Sequence, residues 1–151
     1  MDTDASRLAT AQAMIDAWHA RDWARVGELF AEDGVLHSMM VEPVRGRAAI
    51  AARIAHLGAG IEHITLDIRS MGVIDGRVFM ERVDRFRYRG RDGAVPVTGV
   101  LEIRDGRVQE WREYYDRAML LREMGVAVDF ALSVPRPADP GLSPPAAPAR
   151  P

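Results

Sequence analysis

Apolar residues recur every three to four positions along the first part of the chain, which is the spacing of amphipathic helices. This pattern predicts helices over residues 6–21, 23–30 and 47–57. Asp22 precedes the second helix as a candidate N-cap, and Gly58 follows the third as a stop signal. A strand over residues 35–40 and a loop over residues 41–46 are predicted between the last two helices.

From residue 61 onward the pattern changes to an alternation of apolar and polar residues, which is typical of strands. It predicts four strands, over residues 61–71, 77–89, 95–104 and 107–116. Asp75-Gly76 and Asp105-Gly106 are hairpin signals, and a short helix over residues 117–124 follows the last strand. Because the helices gather ahead of a run of strands, we expect an α+β fold with a curved antiparallel sheet packed against N-terminal helices.

The end of the chain has a different composition. Seven of the nine prolines lie within residues 134–151, together with Ala, Gly and Ser. Such a segment has too little apolar surface to offset the entropy cost of ordering it. The sequence therefore predicts one folded α+β domain over residues 1–130 and a disordered Pro/Ala-rich tail over residues 131–151.

Composition excludes several classes of chemistry and partner. The chain has no cysteine and no lysine, which excludes thiolate nucleophiles and Schiff-base catalysis. A net charge of -2 gives no reason to expect a nucleic acid or an anionic membrane as partner. The four histidines stand at no metal-ligand spacing, and no phosphate-binding glycine loop is visible, so we expect neither a metal nor a cofactor. No apolar run is long enough to span a bilayer and no signal peptide is visible, so a cytoplasmic location is expected.

The strand predicted over residues 77–89 carries the most informative pattern. Its alternation places Arg82 and Asp84 on the apolar face, between Met80 and Phe86. Buried charges are costly unless they are paired. The pair is therefore either a structural ion pair or part of a functional site, and we favour the functional interpretation.

The orientation of the last strand depends on the turn before it. A three-residue loop at residues 104–106 with a bulge at Gly106 would set Trp111 opposite Gly99 and Glu113 opposite Val97. Trp111, Glu113 and Tyr115 would then face the interior. A two-residue turn would instead bring Arg112 and Asp116 inside. We favour the bulge.

Several stretches of the chain resemble the limonene-1,2-epoxide hydrolase family: Glu81-Arg82-Val83-Asp84, Gly99-Val100-Leu101-Glu102-Ile103, Asp105-Gly106 and Trp111-Arg112-Glu113-Tyr114-Tyr115-Asp116. The resemblance covers residues 11–124. That family belongs to a larger set of cone-shaped folds that includes nuclear transport factor two, ketosteroid isomerase and small polyketide cyclases. The resemblance implies a cone-shaped sheet around an internal pocket.

The resemblance also implies roles for particular residues. In the family an Asp-Arg-Asp triad works with a Tyr and an Asn that hold the attacking water. By position the triad falls on Asp84, Arg82 and Glu113, the last with one additional methylene. The water-holding pair falls on Leu36 and Ser38, which is a departure from the family because leucine cannot hydrogen-bond water.

The remaining candidates are residues that could contact substrate. In the family the position of His63 lines the cavity, although the residue lies on the strand face opposite Ile64. Tyr115 is a further candidate because it follows Glu113 by two positions. The predicted substrate-binding residues are thus Leu36, Ser38, His63, Phe86, Trp111 and Tyr115.

These observations favour a cofactor-independent hydrolase that adds water to the epoxide of a small apolar, cyclic or aromatic molecule. Paired carboxylates could also serve a lyase that releases formaldehyde from a lignin-derived phenolic diarylpropane, or an isomerase. A non-catalytic binding module is the third alternative, and the buried Arg82–Asp84 pair speaks against it. Whether the chain forms a homodimer is left open.

Overall fold

The computed structural model describes residues 1–127, and the predicted tail lies outside this range. Within these residues four helices and six strands follow one another along the chain: α1 (Asp4–His19), α2 (Trp23–Glu28), β1 (Phe30–Ser38), β2 (Val44–Arg45), α3 (Arg47–Gly58), β3 (Ile61–Ile74), β4 (Arg77–Tyr88), β5 (Arg91–Arg104), β6 (Arg107–Tyr114) and α4 (Arg117–Met124). None of these helices is long and apolar enough to cross a membrane. The predicted α+β class is confirmed.

The strands form one curved sheet in the order β2-β1-β6-β5-β4-β3. All neighbouring strands are antiparallel except β1 and β6, which run parallel. The predicted curved antiparallel sheet therefore contains one parallel pair. The parallel pairing sets Leu36 beside Trp111 and Ser38 beside Glu113 on the same face.

Helices α1 and α3 pack against the sheet, α2 packs mainly against α3, and all three contribute residues to the core. Its largest fully buried side chains include Met14, Ile15, Phe30, Ile50 and Leu101. Asp22 caps α2 by accepting a hydrogen bond from the backbone N–H of Arg25, as its position predicts.

Several element boundaries differ from the prediction. The second helix ends at Glu28 instead of residue 30, because Phe30 is fully buried in β1 and stacks on Trp111. Strand β5 begins at Arg91, four residues before the predicted start, since a two-residue turn at Arg89 and Gly90 joins it directly to β4. A short strand, β2, lies within the predicted loop.

The turn between β5 and β6 has two residues, Asp105 and Gly106, both with positive φ angles. The predicted three-residue loop is therefore wrong. A β-bulge at Gln109 supplies the additional residue further along β6, so Ile103 pairs with Val108 but Glu102 pairs with Glu110. Beyond the bulge Trp111 lies opposite Leu101, and Glu113 lies opposite Gly99. The predicted partners are shifted by two residues, but the predicted face is the same.

Candidate active site

A cavity of about 390 Å³ lies between the concave face of the sheet, α3 and α4. Its walls are mainly apolar and come from five of the strands, with Leu36, Ile64, Leu66, Phe86, Val95 and Val97 among the lining residues. An apolar cavity of this size with a few converging polar groups has the form of a small-molecule site. The polar groups come from β1, β4 and β6, from Tyr115 directly after β6, and from α3 and α4.

Arg82 is the central polar residue of the cavity and is only 4% exposed. Its Nε lies 2.6 Å from Oδ1 of Asp84, and its Nη2 lies 3.1 Å from Oδ2 of the same carboxylate. On the other side, Nη1 donates to Oε2 of Glu113 at 3.1 Å and Nη2 donates to Oε1 at 2.7 Å. The guanidinium thus holds two carboxylates at once, each through two hydrogen bonds.

The approach of Arg82 to Glu113 depends on a glycine. A Cβ atom on Gly99 would lie 2.8 Å from Nη1 of Arg82 and 3.1 Å from Oε2 of Glu113. The ring of Trp111 borders the same space, with its centroid 5.6 Å from Cζ of Arg82. Gly99 is therefore required by the close approach of these side chains.

Burial and charge set the protonation of the cluster. Burial, the largest influence, raises the pKa of Glu113 to about 7, and repulsion from Asp84 adds to the rise although Arg82 opposes it. Burial works to lower the pKa of Arg82, but attraction to Glu113 and Asp84 outweighs it and raises that pKa. Near neutral pH the cluster therefore combines a permanent cation, Arg82, with a carboxyl, Glu113, that can hold or release a proton.

A second polar pair lies beside Glu113. The hydroxyl groups of Ser38 and Tyr115 hydrogen-bond to each other, and both residues line the cavity. Ser38 arrives there because β1 runs parallel to β6, which makes it the neighbour of Glu113. Leu36 also lines the cavity, and it contributes only apolar surface.

The structure brings most of the predicted site residues together around this cavity: Leu36, Ser38, Arg82, Asp84, Phe86, Trp111, Glu113 and Tyr115. His63 is the exception. It is exposed on the opposite face of β3 and hydrogen-bonds to Thr65, while Ile64 and Leu66 face the cavity. Strand β3, like the other lining strands, thus turns its apolar face toward the pocket.

The sequence pattern does not indicate several residues of the site. Gly99 stands out only as part of a motif, and its steric role depends on the arrangement of β4, β5 and β6. Arg53, His56 and Arg117 line the cavity from α3 and α4, which the alternation of strand residues could not indicate. Among residues 1–127 no group of three His, Asp or Glu side chains could hold a metal ion.

Comparison with known proteins identifies the fold family. A family model described as the SnoaL-like domain matches residues 11–111. Among solved structures, an epoxide hydrolase from M. tuberculosis described as LEH-like superimposes with a TM-score of 0.71 at 21% identity. The alignment covers 80% of this chain and 90% of that one.

Two further structures have similar scores. A protein from Xanthomonas campestris described as a polyketide cyclase gives a TM-score of 0.72 at 22% identity, covering 80% of this chain and 98% of that one. A protein from Catenulispora acidiphila with a ketosteroid isomerase-like fold, in complex with trimethylamine, gives 0.69 at 25% identity, covering 78% and 93%. The expected cone-shaped fold is confirmed.

Proposed function

The chain belongs to the SnoaL-like domain family, and we propose that on this scaffold it is a cofactor-independent epoxide hydrolase acting on a small apolar molecule. The scaffold also includes polyketide cyclases and isomerases, so the fold does not decide the reaction. The observation that carries the proposal is the Arg82 guanidinium, which bridges Asp84 and Glu113 inside an apolar cavity.

Epoxide opening by water needs a base for the nucleophile and an acid for the leaving oxygen. Glu113, with its pKa raised to about 7, holds the proton that the leaving oxygen requires. Asp84 then takes the role of base and accepts a proton from water as the water oxygen attacks an epoxide carbon. The carbon–oxygen bond breaks, the Glu113 proton goes to the oxygen, and a vicinal diol results.

Arg82 contributes by holding the two carboxylates in fixed positions. Its guanidinium stays charged through the reaction, so it stabilises whichever carboxylate is ionised at each step. The hydroxyl pair of Ser38 and Tyr115 supplies hydrogen-bonding groups beside Glu113. In this proposal the pair orients the attacking water, the role for which Leu36 is unsuited.

A second candidate is a lyase that releases formaldehyde from a phenolic diarylpropane. The observation that favours it is the same Ser38–Tyr115 pair, since two adjacent hydroxyl groups in an apolar cavity can bind a phenol. The two reactions have different products. They can therefore be separated with the wild-type protein.

The test is a parallel product assay. Wild-type protein is incubated in ¹⁸O-labelled water with cyclic and aryl epoxides, and separately with a phenolic diarylpropane-1,3-diol. The proposal predicts vicinal diols that carry one labelled oxygen, and no formaldehyde. Formaldehyde from the diarylpropane without any diol from the epoxides would assign the lyase reaction instead.

A further inference from the structure

Three cationic or titratable side chains line the cavity from α3 and α4, whereas the Arg82 cluster comes from the strands. Arg53 and His56 belong to α3 and are three residues apart, so they project from the same side of that helix. Arg117 is the first residue of α4 and lines the same cavity. We call Arg53, His56 and Arg117 the basic rim.

The arginines of the rim have no acidic partner in the part of the chain that the structure describes. No ion pair within residues 1–127 involves Arg53 or Arg117. On the outer face of the sheet, by contrast, arginines have acidic partners: Arg87, for example, forms ion pairs with both Glu62 and Asp92.

The cavity itself does not neutralise the rim. Of the described residues that line it, the only carboxylates are Asp84 and Glu113, and Arg82 holds both of them. The whole chain has a formal net charge of -2, so the positive rim is not a consequence of a basic composition. The cavity thus combines acid–base groups from the strands, apolar walls, and positive charge from α3 and α4 that no acidic side chain of residues 1–127 pairs with.

We propose that the basic rim binds an anionic group, such as a carboxylate or sulfonate, of an amphipathic ligand whose apolar body fills the cavity. Arginine binds such groups through paired, charge-assisted hydrogen bonds. With the anion at the rim, the apolar end of the ligand points toward Asp84 and Glu113. This inference deepens the proposed function by naming the substrate class: an apolar epoxide with an acidic substituent.

The test uses two fluorescent probes that differ by a single sulfonate group. 1-Anilinonaphthalene-8-sulfonate carries a sulfonate, and N-phenyl-1-naphthylamine is the same hydrocarbon skeleton without it. We expect the wild-type protein to bind the sulfonate more tightly. In the double variant Arg53→Gln/Arg117→Gln the affinity for the sulfonate should fall about 10-fold, while affinity for the neutral probe stays within about 2-fold.

Arg122→Gln is the matched control, because Arg122 lies on α4, is exposed, and does not line the cavity. It removes one positive charge from the same helix and should leave both affinities unchanged. Added salt should weaken binding of the sulfonate and not of the neutral probe. Equal wild-type affinities, or a double variant that weakens both probes alike, would overturn the proposal.

This experiment uses no epoxide, so its result is independent of the catalytic proposal. If the rim prefers the sulfonate but no epoxide is opened, the anion site stands and the proposed reaction is wrong. If epoxides are opened but the rim shows no preference, the reaction stands and the anion site is wrong.

Discussion

Arg82 and Glu113 lie on strands that are not neighbours, yet Nη2 of the arginine is 2.7 Å from Oε1 of the glutamate. Strand β5 separates β4 from β6, and the two side chains meet over its Gly99. The missing side chain at this position provides the space for the contact. The bridge between the two carboxylates therefore depends on a residue that makes no polar side-chain contact itself.

Replacing Gly99 with alanine should displace the Arg82–Glu113 contact, because the added Cβ would lie within 3.1 Å of both side chains. Since Arg82 is buried and held on both sides, it has little room to move. We expect a loss of about 1–3 kcal/mol in the free energy of unfolding, measured by urea denaturation. Gly72→Ala on β3 is the control, because no atom lies within 4 Å of its added Cβ. An equally small effect of the two substitutions would show that Gly99 is not a steric requirement.

The raised pKa of Glu113 predicts a pH-dependent stability. The folded protein binds this proton with a pKa of about 7, against an ordinary value of 4.5, so between these pH values the folded state holds more protons than the unfolded chain. The contribution of Glu113 to the free energy of unfolding is therefore greatest below about pH 4.5, and it declines as the pH rises to about 7. The total decline is on the order of 3 kcal/mol.

Urea denaturation of wild type and Glu113→Gln at a series of pH values measures this decline. The difference between the two proteins reports on Glu113 and the groups coupled to it, because contributions from titrating groups elsewhere in the chain cancel. We expect the stability advantage of wild type over the variant to shrink as the pH rises from 4.5 to 8. A difference that is constant, or that grows with pH, would contradict the raised pKa.

Tyr115 offers a test of the hydroxyl pair. Tyr115→Phe removes the group that bonds to Ser38 but keeps the ring against the cavity. If the pair orients the attacking water, we expect kcat for epoxide opening to fall about 10-fold, which corresponds to the loss of one hydrogen bond to the nucleophile. Tyr114→Phe, at the exposed neighbouring residue that ends β6, should have no effect. Equal rates in the two variants would remove the pair from the mechanism.

The orientation of β6 shows what alternation can and cannot predict. The predicted face of Trp111 and Glu113 agrees with the structure. One extra residue before them reverses the alternation of faces, whether it lies in the turn, as predicted, or in the bulge of β6, as observed. The predicted position of the bulge, at Gly106, is wrong, although the sequence holds a signal for the observed position at Gln109. Val108 and Trp111 are both buried, and residues three apart on a regular strand face opposite sides.

The placement of His63 could not come from a family position alone. The alternation correctly sets His63 opposite Ile64, and the burial of Ile64 and Leu66 decides which of the two faces encloses the cavity. Local sequence patterns likewise do not predict the parallel pairing of β1 with β6, because these two strands lie far apart in the sequence. Ser38 consequently meets Tyr115 across 77 residues of sequence.

The epoxide-opening rate of Asp84→Asn tests the acid–base role of the bridged carboxylates most directly. The amide keeps the shape of the side chain but cannot accept a proton from water, so we expect kcat to fall by about 10²- to 10⁴-fold with the fold intact by circular dichroism. Asp67→Asn is the matched control: Asp67 lies on the adjacent strand and pairs with Arg69 and Arg85 outside the cavity, and its loss should leave kcat unchanged. If Asp84→Asn opens epoxides at the wild-type rate, the Arg82-bridged carboxylates are not the acid–base machinery of this protein.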